Sequence, residues 1–378
     1  MLEINNKGLT VEISKNEEPQ LQLWEGLTLP NQIVVKAKNN LVIDNKIENR
    51  RYIGNKTKLL NWIAAIVEKE TKGCTSFLDL FAGTGVVAKH FLDKYDTIII
   101  NDILFANHII YKALFANDNF DKNKMLAFIT KYNNIDAEKI ADNYFSINYG
   151  NKFFSAQNAK IIGWVREDIE ANKKNLTAKE YNLLLTILIY AADKIANTVG
   201  HFEAFIKKEI KIQKINFKWV EILETQKVQI FQQDANELVK SVSADIVYID
   251  PPYNSRQYSR FYHVYETLIK WQKPVLTGVA MKPPVENMSV YCTVKAKNAF
   301  SDLIKDIKAK YIIVSYNNTF KAKSSSSENK IQYDEIMTIL EQKGKVSVFE
   351  CEHSFFNAGK SDLENHKEYI FVCKVFSN

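Results

Sequence analysis

Short segments that alternate apolar and polar residues open the chain, and an amphipathic pattern replaces them near residue 50. The segments LTVEIS, QIVVKA and LVIDN repeat with a period of two, which is typical of half-buried strands. We therefore expect residues 1–48 to form a small β-rich arm, to which we assign no chemistry. From Arg51, the segment RRYIGNKTKLLNWIAAIVEKE predicts a glycine turn and then an amphipathic helix that begins at about Lys56.

The next segments alternate strand and helix patterns. Residues 76–80 predict a strand, FAGTGVVAKHFL a glycine loop that opens a helix, and TIIIND a second strand that ends at Asp102. This βαβ order indicates a doubly wound parallel sheet. Residues 106–226 are helical in pattern and long for a crossover, so they predict an inserted helical subdomain. The strands VQIFQQDA and DIVYIDPPY then return to the sheet.

The last third of the chain completes the predicted sheet. A helix is expected at about residues 261–271, followed by the loop-rich stretch KPPVENMSVYCTVKAKN and by a helix and strand in DLIKDIKAKYIIVSYNN. The polar segment KSSSSENK, residues 323–330, is predicted to be mobile. The segments KVSVFECEHSF and KEYIFVCKVF predict two closing antiparallel strands.

Composition adds size, charge and compartment. With 46% hydrophobic and 12% aromatic residues, the 378 residues suffice for a full core in one large domain or two ordinary ones. The net charge of +6 suits a polyanionic partner without requiring one. Four cysteines without a C-x-x-C pair, and no secretory apolar region, predict reduced thiols in a soluble cytoplasmic protein. The longest apolar stretch, residues 183–192, is too short to span a bilayer. The histidines show no metal-ligand spacing, so no metal is expected.

The segment DLFAGTG, which begins at Asp79, has the composition of a cofactor-binding turn. Gly83 and Gly85 allow a tight turn after a strand and the close approach of a ligand to a helix N-terminus. Asp102 ends the next strand, where a carboxylate can accept both hydroxyls of an adenosine ribose. The full G-x-G-x-x-G pattern is absent, so S-adenosylmethionine fits better than NAD. An ordinary strand–helix turn is the alternative.

The segment YIGNK places the ring of Tyr52 and the ammonium of Lys56 beside a tight turn. S-adenosylmethionine has a free carboxylate, which Lys56 can hold in a charge-assisted pair. A solvated lysine in the first turn of a helix is the alternative.

The segment DPPY ends a buried strand in a rigid elbow. Pro251 and Pro252 cannot donate to a sheet ladder, so Asp250 and Tyr253 are held at the carboxyl edge of the sheet, where ligands bind. The amine of adenine is a poor nucleophile because its lone pair is delocalised into the ring. The Asp250 carboxylate and the Pro251 carbonyl can each accept one N–H, which points the lone pair at a sulfonium methyl group. Tyr253 can stack on a base swung out of a duplex. An incidental Pro-Pro turn is the alternative.

In this order, YIGNK, DLFAGTG, Asp102 and DPPY resemble the alpha-class (Dam-type) N6-adenine DNA methyltransferases. The run NSRQYSRFYHVYETL after DPPY resembles the members of this class found in type II restriction-modification systems. The resemblance covers about residues 51–318 and leaves out the N-terminal arm. It implies a Rossmann-like α/β fold whose seven-stranded sheet is mostly parallel, with an antiparallel last pair. It also implies S-adenosylmethionine as the methyl donor.

The resemblance further implies domains and site residues. The catalytic domain comprises residues 49–105 and 227–378, and residues 106–226 form a target-recognition subdomain. The catalytic tetrapeptide matches Asp250, Pro251, Pro252 and Tyr253. The cofactor-binding positions match Tyr52, Lys56, Asp79, Phe81, Gly83, Gly85, Asp102 and Asp234. In the family, the last two of these acids contact the ribose and the adenine of the cofactor. The INDI segment differs from the plainest family pattern, which leaves the exact ribose contact open.

Two basic and aromatic segments are candidates for DNA contact. One includes Lys207 and Lys208, and the segment after DPPY includes Arg256, Gln257 and Arg260. Lysine and arginine neutralise phosphates, whereas glutamine can reach base edges. Solvated helix faces are the alternative.

The predicted function is site-specific methylation of adenine N6 in double-stranded DNA, as the partner of a restriction endonuclease. An RNA adenine methyltransferase is an alternative, because an elbow of this kind serves planar amines generally. Cytosine methylation is a third option, for which Ser in place of Asp250 is the commoner pattern. A DNA-binding regulator with an inactive methyltransferase fold is the alternative outside the enzymes. The intact Asp102, Asp250 and Tyr253 disfavour it. His263 and Glu266 are expected to be structural partners.

Overall fold

The computed structural model describes residues 45–207, 210, 213–223, 225, 227–253, 255–317, 330–352 and 367–377. The predicted β-rich arm up to residue 44 and the KSSSSENK segment up to residue 329 lie outside the described residues. Within the described ranges, no helix is long and apolar enough to cross a membrane.

Seven strands form one sheet in the order β3-β2-β1-β4-β5-β7-β6. The pairs from β3 to β5 are parallel, whereas β7 is antiparallel to both β5 and β6. This confirms the predicted mostly parallel sheet with an antiparallel last pair. The strands are β1 Ser76–Asp79, β2 Thr97–Asn101, β3 Val228–Phe231, β4 Ile246–Ile249, β5 Tyr311–Asn317, β6 Gly344–Glu352 and β7 Lys367–Val375.

Helices cover both faces of this sheet. Alternate strand residues point to opposite faces, so Phe77 packs on the side of α1 to α7, whereas Leu78 packs on the side of α8, α11 and α12. The helices are α1 Leu60–Glu70, α2 Val86–His90, α3 Phe105–Leu114, α4 Lys122–Asn133, α5 Tyr144–Tyr149, α6 Ala156–Ala171, α7 Ala178–Ile195, α8 Ala235–Leu238, α9 Tyr258–Phe261, α10 His263–Lys270, α11 Ala296–Asp306 and α12 Tyr333–Glu341.

The predicted insertion contains the helices α4 to α7 and most of α3. One hydrophobic cluster runs from the sheet face through these helices, with Phe77 and Leu188 both fully buried in it. The insertion therefore shares the core of the sheet. Its role as a target-recognition subdomain stays a prediction.

Several elements are shorter than their apolar patterns. β1 and β2 each end one residue before the predicted end, at Asp79 and Asn101. Asp250 is the first loop residue after β4. β3 ends at Phe231, and Asp234 caps α8 by accepting the N–H groups of Asn236 and Glu237. The carboxylates therefore lie just outside the sheet edge, where they are free of the strand ladder.

Candidate active site

The carboxyl ends of β1, β2 and β4 open into one cleft of about 900 Å³, including its mouth. It lies where the strand order reverses between β1 and β4, the usual ligand position in such sheets. All of the predicted catalytic and cofactor-binding residues except Gly85 line it. The fold therefore brings together three motifs that are far apart in the sequence.

The glycine loop after β1 is held by Asp102 and by buried donors. Asp102 Oδ2 accepts the N–H of Gly83 at 2.9 Å and its Oδ1 accepts that of Leu104 at 2.8 Å. The Gly83 carbonyl accepts hydrogen bonds from Arg50 at 3.2 Å and from the Tyr111 hydroxyl at 2.7 Å. Burial raises the pKa of Asp102. The loop is thus built around the carboxylate predicted to bind ribose.

The backbone of this loop requires glycine. Gly83 has φ +56° and Gly85 has φ +84°, a region that side chains with a Cβ rarely adopt. A Cβ at Gly83 would lie 3.0 Å from the Tyr52 ring. Gly85 is the N-cap residue of α2, and a Cβ there would meet Ile47 and Tyr111 at 3.1 Å. It shapes the loop without lining the site.

Two further acids belong to the same region. Burial raises the pKa of Asp79 to about 8, and its Oδ2 accepts the N–H of Ala88 in α2 at 3.1 Å. Asp234 lines the cleft beside Phe81, whose ring meets Tyr291 edge-on at 5.1 Å between centroids. The rings of Phe81 and Tyr291 and the carboxylate of Asp234 therefore line the side of the cleft that is predicted to hold the adenine of the cofactor.

A buried ion network surrounds the acid of DPPY. The Lys56 ammonium lies 3.1 Å from Asp250 Oδ1 and 3.7 Å from Glu368 Oε2. The side chain of Asp250 is 14% exposed, and those of Lys56 and Glu368 are 5% exposed. Burial raises the pKa of Asp250 to about 6, Lys56 opposes that rise and Glu368 adds to it. These contacts point to Lys56 as the counter-ion of Asp250, whereas its predicted contact with a cofactor carboxylate stays a prediction.

Tyr253 closes one side of this network. Its side chain is buried, with the Lys56 ammonium 5.4 Å from the ring centroid and Tyr316 edge-on at 6.0 Å. Gly54, in the turn of YIGNK, has φ +81°, and a Cβ there would lie 3.0 Å from the Tyr253 hydroxyl. The turn therefore approaches the tyrosine more closely than any other residue type allows.

Gly54→Ala should lower turnover about tenfold, because the new methyl group displaces Tyr253. Gly73→Ala is the matched control: Gly73 has a similar φ of +73°, but a Cβ there meets no described residue within 4 Å. Both variants should lose about 1–2 kcal/mol of stability from the left-handed backbone. Thermal unfolding and steady-state kinetics of the pair check this. An equal loss of turnover in both would show that crowding against Tyr253 is unimportant.

A cluster of three tyrosines, Tyr52, Tyr258 and Tyr262, links YIGNK to the helices after DPPY. The rings of Tyr52 and Tyr262 stack at 4.6 Å between centroids, and Tyr262 accepts the N–H of Ile53 at 2.8 Å. Tyr258 donates to the Ile53 carbonyl at 3.3 Å. Both tyrosines belong to the segment after DPPY, which is a candidate for DNA contact. Their spacing of four places both on one helical face, which is the signal for a shared packing role.

Several of the residues predicted to contact DNA already have ion-pair or hydrogen-bond partners within the protein. Arg256 forms an ion pair with Glu203, and Arg260 donates to the Pro283 carbonyl at 2.7 Å. Lys207 is exposed, whereas Lys208 lies outside the described residues. Both amide atoms of Gln257 bond the backbone of Ser289. Contact of any of these residues with DNA stays a prediction.

His263 and Glu266 have structural contacts, as expected. The His263 ring nitrogens lie 2.9 Å from the Arg260 carbonyl oxygen and 2.8 Å from that of Ala280. Glu266 accepts the N–H groups of Phe105 and Ala106 at the start of α3. Both side chains tie α10 to neighbouring segments.

Comparison with known proteins points to one family. The model of D12 class N6 adenine-specific DNA methyltransferases matches residues 52–333. The chain is 38% identical over 286 residues to modification methylase StsI of Streptococcus sanguinis, covering 71% of this chain and 44% of that protein. It is 31% identical over 348 residues to type II methyltransferase M.FokI of Planomicrobium okeanokoites, covering 86% and 52%. It therefore spans about half the length of these two relatives. It is also 29% identical over 345 residues to type II methyltransferase M.NlaIII of Neisseria lactamica, covering 85% and 98%.

Proposed function

Because this chain belongs to the D12 class of N6 adenine-specific DNA methyltransferases, we propose that it methylates the N6 amine of adenine in double-stranded DNA. The methyl donor in this proposal is S-adenosylmethionine. The observation that carries the proposal is the position of the Asp250 carboxylate, which lines the same cleft as the glycine loop and Asp102. An acceptor for the amine and a site for the donor thus share one cavity.

The residues of the cleft fit S-adenosylmethionine. Backbone N–H groups occupy one position on each Asp102 oxygen and the Asn107 side chain takes a third, which leaves an acceptor position for a ribose hydroxyl. A Cβ at Gly83 would crowd Tyr52, so glycine keeps the floor of the cradle open. The half-buried Phe81 ring, which Tyr291 supports edge-on, offers a surface to an adenine. When bound, S-adenosylmethionine supplies an electrophilic methyl group on a sulfonium sulfur.

The chain supplies orientation and charge to the reaction. Ionised Asp250 accepts one N–H of the target amine, and the Pro251 carbonyl accepts the other, so the nitrogen lone pair is directed at the methyl group. The positive charge of Lys56 at 3.1 Å favours the ionised form of Asp250. The two prolines restrict the backbone, so little reorganisation is needed when the base arrives.

We further infer that the chain is the modification enzyme of a type II restriction-modification system. The relatives reported above are named a modification methylase and type II methyltransferases. A restriction endonuclease with the same recognition sequence is the partner that this role requires.

Incubation with tritiated S-adenosylmethionine tests the reaction. Genomic DNA and total RNA are offered separately, and the labelled nucleosides are identified after nuclease digestion. We expect label in N6-methyladenine from DNA. Label in RNA alone would overturn the substrate, and label in a cytosine derivative would overturn the base. Cofactor binding without any transfer would favour the inactive regulator.

Tyr253→Phe should leave turnover within about threefold of the wild type, whereas Tyr253→Ala should lower it about 10–100-fold. Stacking on the flipped base needs the ring and not the hydroxyl. Single-turnover rates with a duplex that contains the methylation site separate the two variants. Equal losses in both would contradict the stacking role.

A further inference from the structure

The loop between α10 and α11 reaches the cleft and is anchored there by Gln257. The Gln257 amide donates to the Ser289 carbonyl at 2.9 Å and accepts the Ser289 N–H at 2.7 Å. Gln257 and Ser289 both line the cleft. This two-point pairing gives the end of the loop one defined position relative to DPPY, because Gln257 lies only four residues after Tyr253.

Asn287, two residues before this anchor, has two unusual features. Its backbone has φ +50°, a left-handed conformation that asparagine adopts more readily than other residues with a Cβ but less readily than glycine. Its side-chain Nδ2 is buried, yet it has no hydrogen-bond partner among the described residues. A buried donor without an acceptor is unfavourable, and strained, unsatisfied residues concentrate at binding sites. Asn287 also lines the cleft together with Asp250 and Tyr253.

The target adenine also needs a hydrogen-bond donor from the protein. Asp250 and the Pro251 carbonyl present only acceptors, which match the two hydrogens of the amine. The remaining polar atoms of adenine, the ring nitrogens N1, N3 and N7, are all acceptors. An amide N–H is the complementary group. Asn287 lines this cleft, and its buried Nδ2 has no acceptor among the described residues.

We propose that Asn287 is a base-contact residue, which donates a hydrogen bond from Nδ2 to a ring nitrogen of the adenine held at Asp250. This inference rests on the proposed function and deepens it, because it assigns a residue that orients the base. The bond satisfies a donor that is unpaired without substrate, so it forms only when the base occupies the cleft. Gln257 is then a positioning residue, which acts through Ser289 and not by reading DNA.

The test compares Asn287→Ala and Asn287→Asp with the wild type. Both variants lack the donor, so kcat/KM for DNA should fall about 10–100-fold while the dissociation constant of S-adenosylmethionine stays within twofold. Glu286→Gln is the neighbouring control. Glu286 is exposed and pairs with Lys270 outside the cleft, so its variant should keep wild-type kcat/KM. Thermal stability of Asn287→Gly should equal or exceed that of the wild type, because glycine relieves the strained backbone.

Modified substrates identify the contact. Duplexes that carry 1-deaza-, 3-deaza- or 7-deazaadenine at the target each lack one ring nitrogen. One of them should lower kcat/KM for the wild type and have no additional effect on Asn287→Ala. The base contact would be refuted if each of the three deazaadenine substrates lowered kcat/KM as much in Asn287→Ala as in the wild type. Weaker binding of S-adenosylmethionine by Asn287→Ala would also refute it. A wild-type enzyme that labels no DNA would instead refute the proposed function itself.

Discussion

Asp250→Ala should lower the rate of methyl transfer about 10²–10³-fold, a loss typical of removing one preorganised polar group. The substitution removes the acceptor that orients the amine. It leaves the Lys56 ammonium beside Glu368, 3.7 Å away, so no unpaired buried cation destabilises the fold. Asp250→Asn keeps a neutral acceptor and should retain more activity than Asp250→Ala.

The measurement is a single-turnover rate, with cofactor and DNA affinity determined separately. Both affinities should stay close to those of the wild type. Asp245→Asn is the matched control, because Asp245 precedes the same strand at its opposite end and bonds Thr75 and Lys310 instead. It should keep the wild-type rate. Wild-type turnover in Asp250→Ala would refute the catalytic assignment.

Lys56→Met and Glu368→Gln should shift the pH dependence of kcat in opposite directions. The working form of Asp250 is ionised, so activity falls as the pH drops through its pKa, which burial raises to about 6. Lys56 lowers this pKa, so its removal should move the acid limb upward by about 1–3 pH units. Activity at pH 7 then falls about twofold for a shift of one unit and about 100-fold for a shift of three. Glu368 raises the pKa of Asp250, so Glu368→Gln should move the limb downward.

The two profiles are measured from about pH 5 to 9 with saturating substrates. Lys56→Met also leaves two buried carboxylates without their cation, so we expect it to lose about 3 kcal/mol of stability. The double variant, which removes the cation and one carboxylate, should recover part of this stability. If the acid limb shifted in the same direction in Lys56→Met and in Glu368→Gln, the two residues would not act through the charge on Asp250.

Much of the fold and the cleft was predictable from local pattern. Buried apolar runs that end in an acid, as before Asp102 and Asp250, indicate parallel strands with carboxylates at their carboxyl ends. Such ends meet at one edge, so the motifs predicted a shared site before any contact was known. The antiparallel last pair was also predictable, because its two strand patterns follow each other with no helical pattern between them.

Pairings between distant segments were decided by the tertiary structure alone. Glu368 reads as an ordinary residue of the last strand, yet β7 lies between β5 and β6 and brings it to Lys56. Gln257 reads as a candidate for base contact, yet Ser289 occupies its amide. Asn287 carries no signal in the loop sequence. Periodicity determines which face a residue presents, whereas its partner depends on strand order and loop path, which are set when the whole core packs.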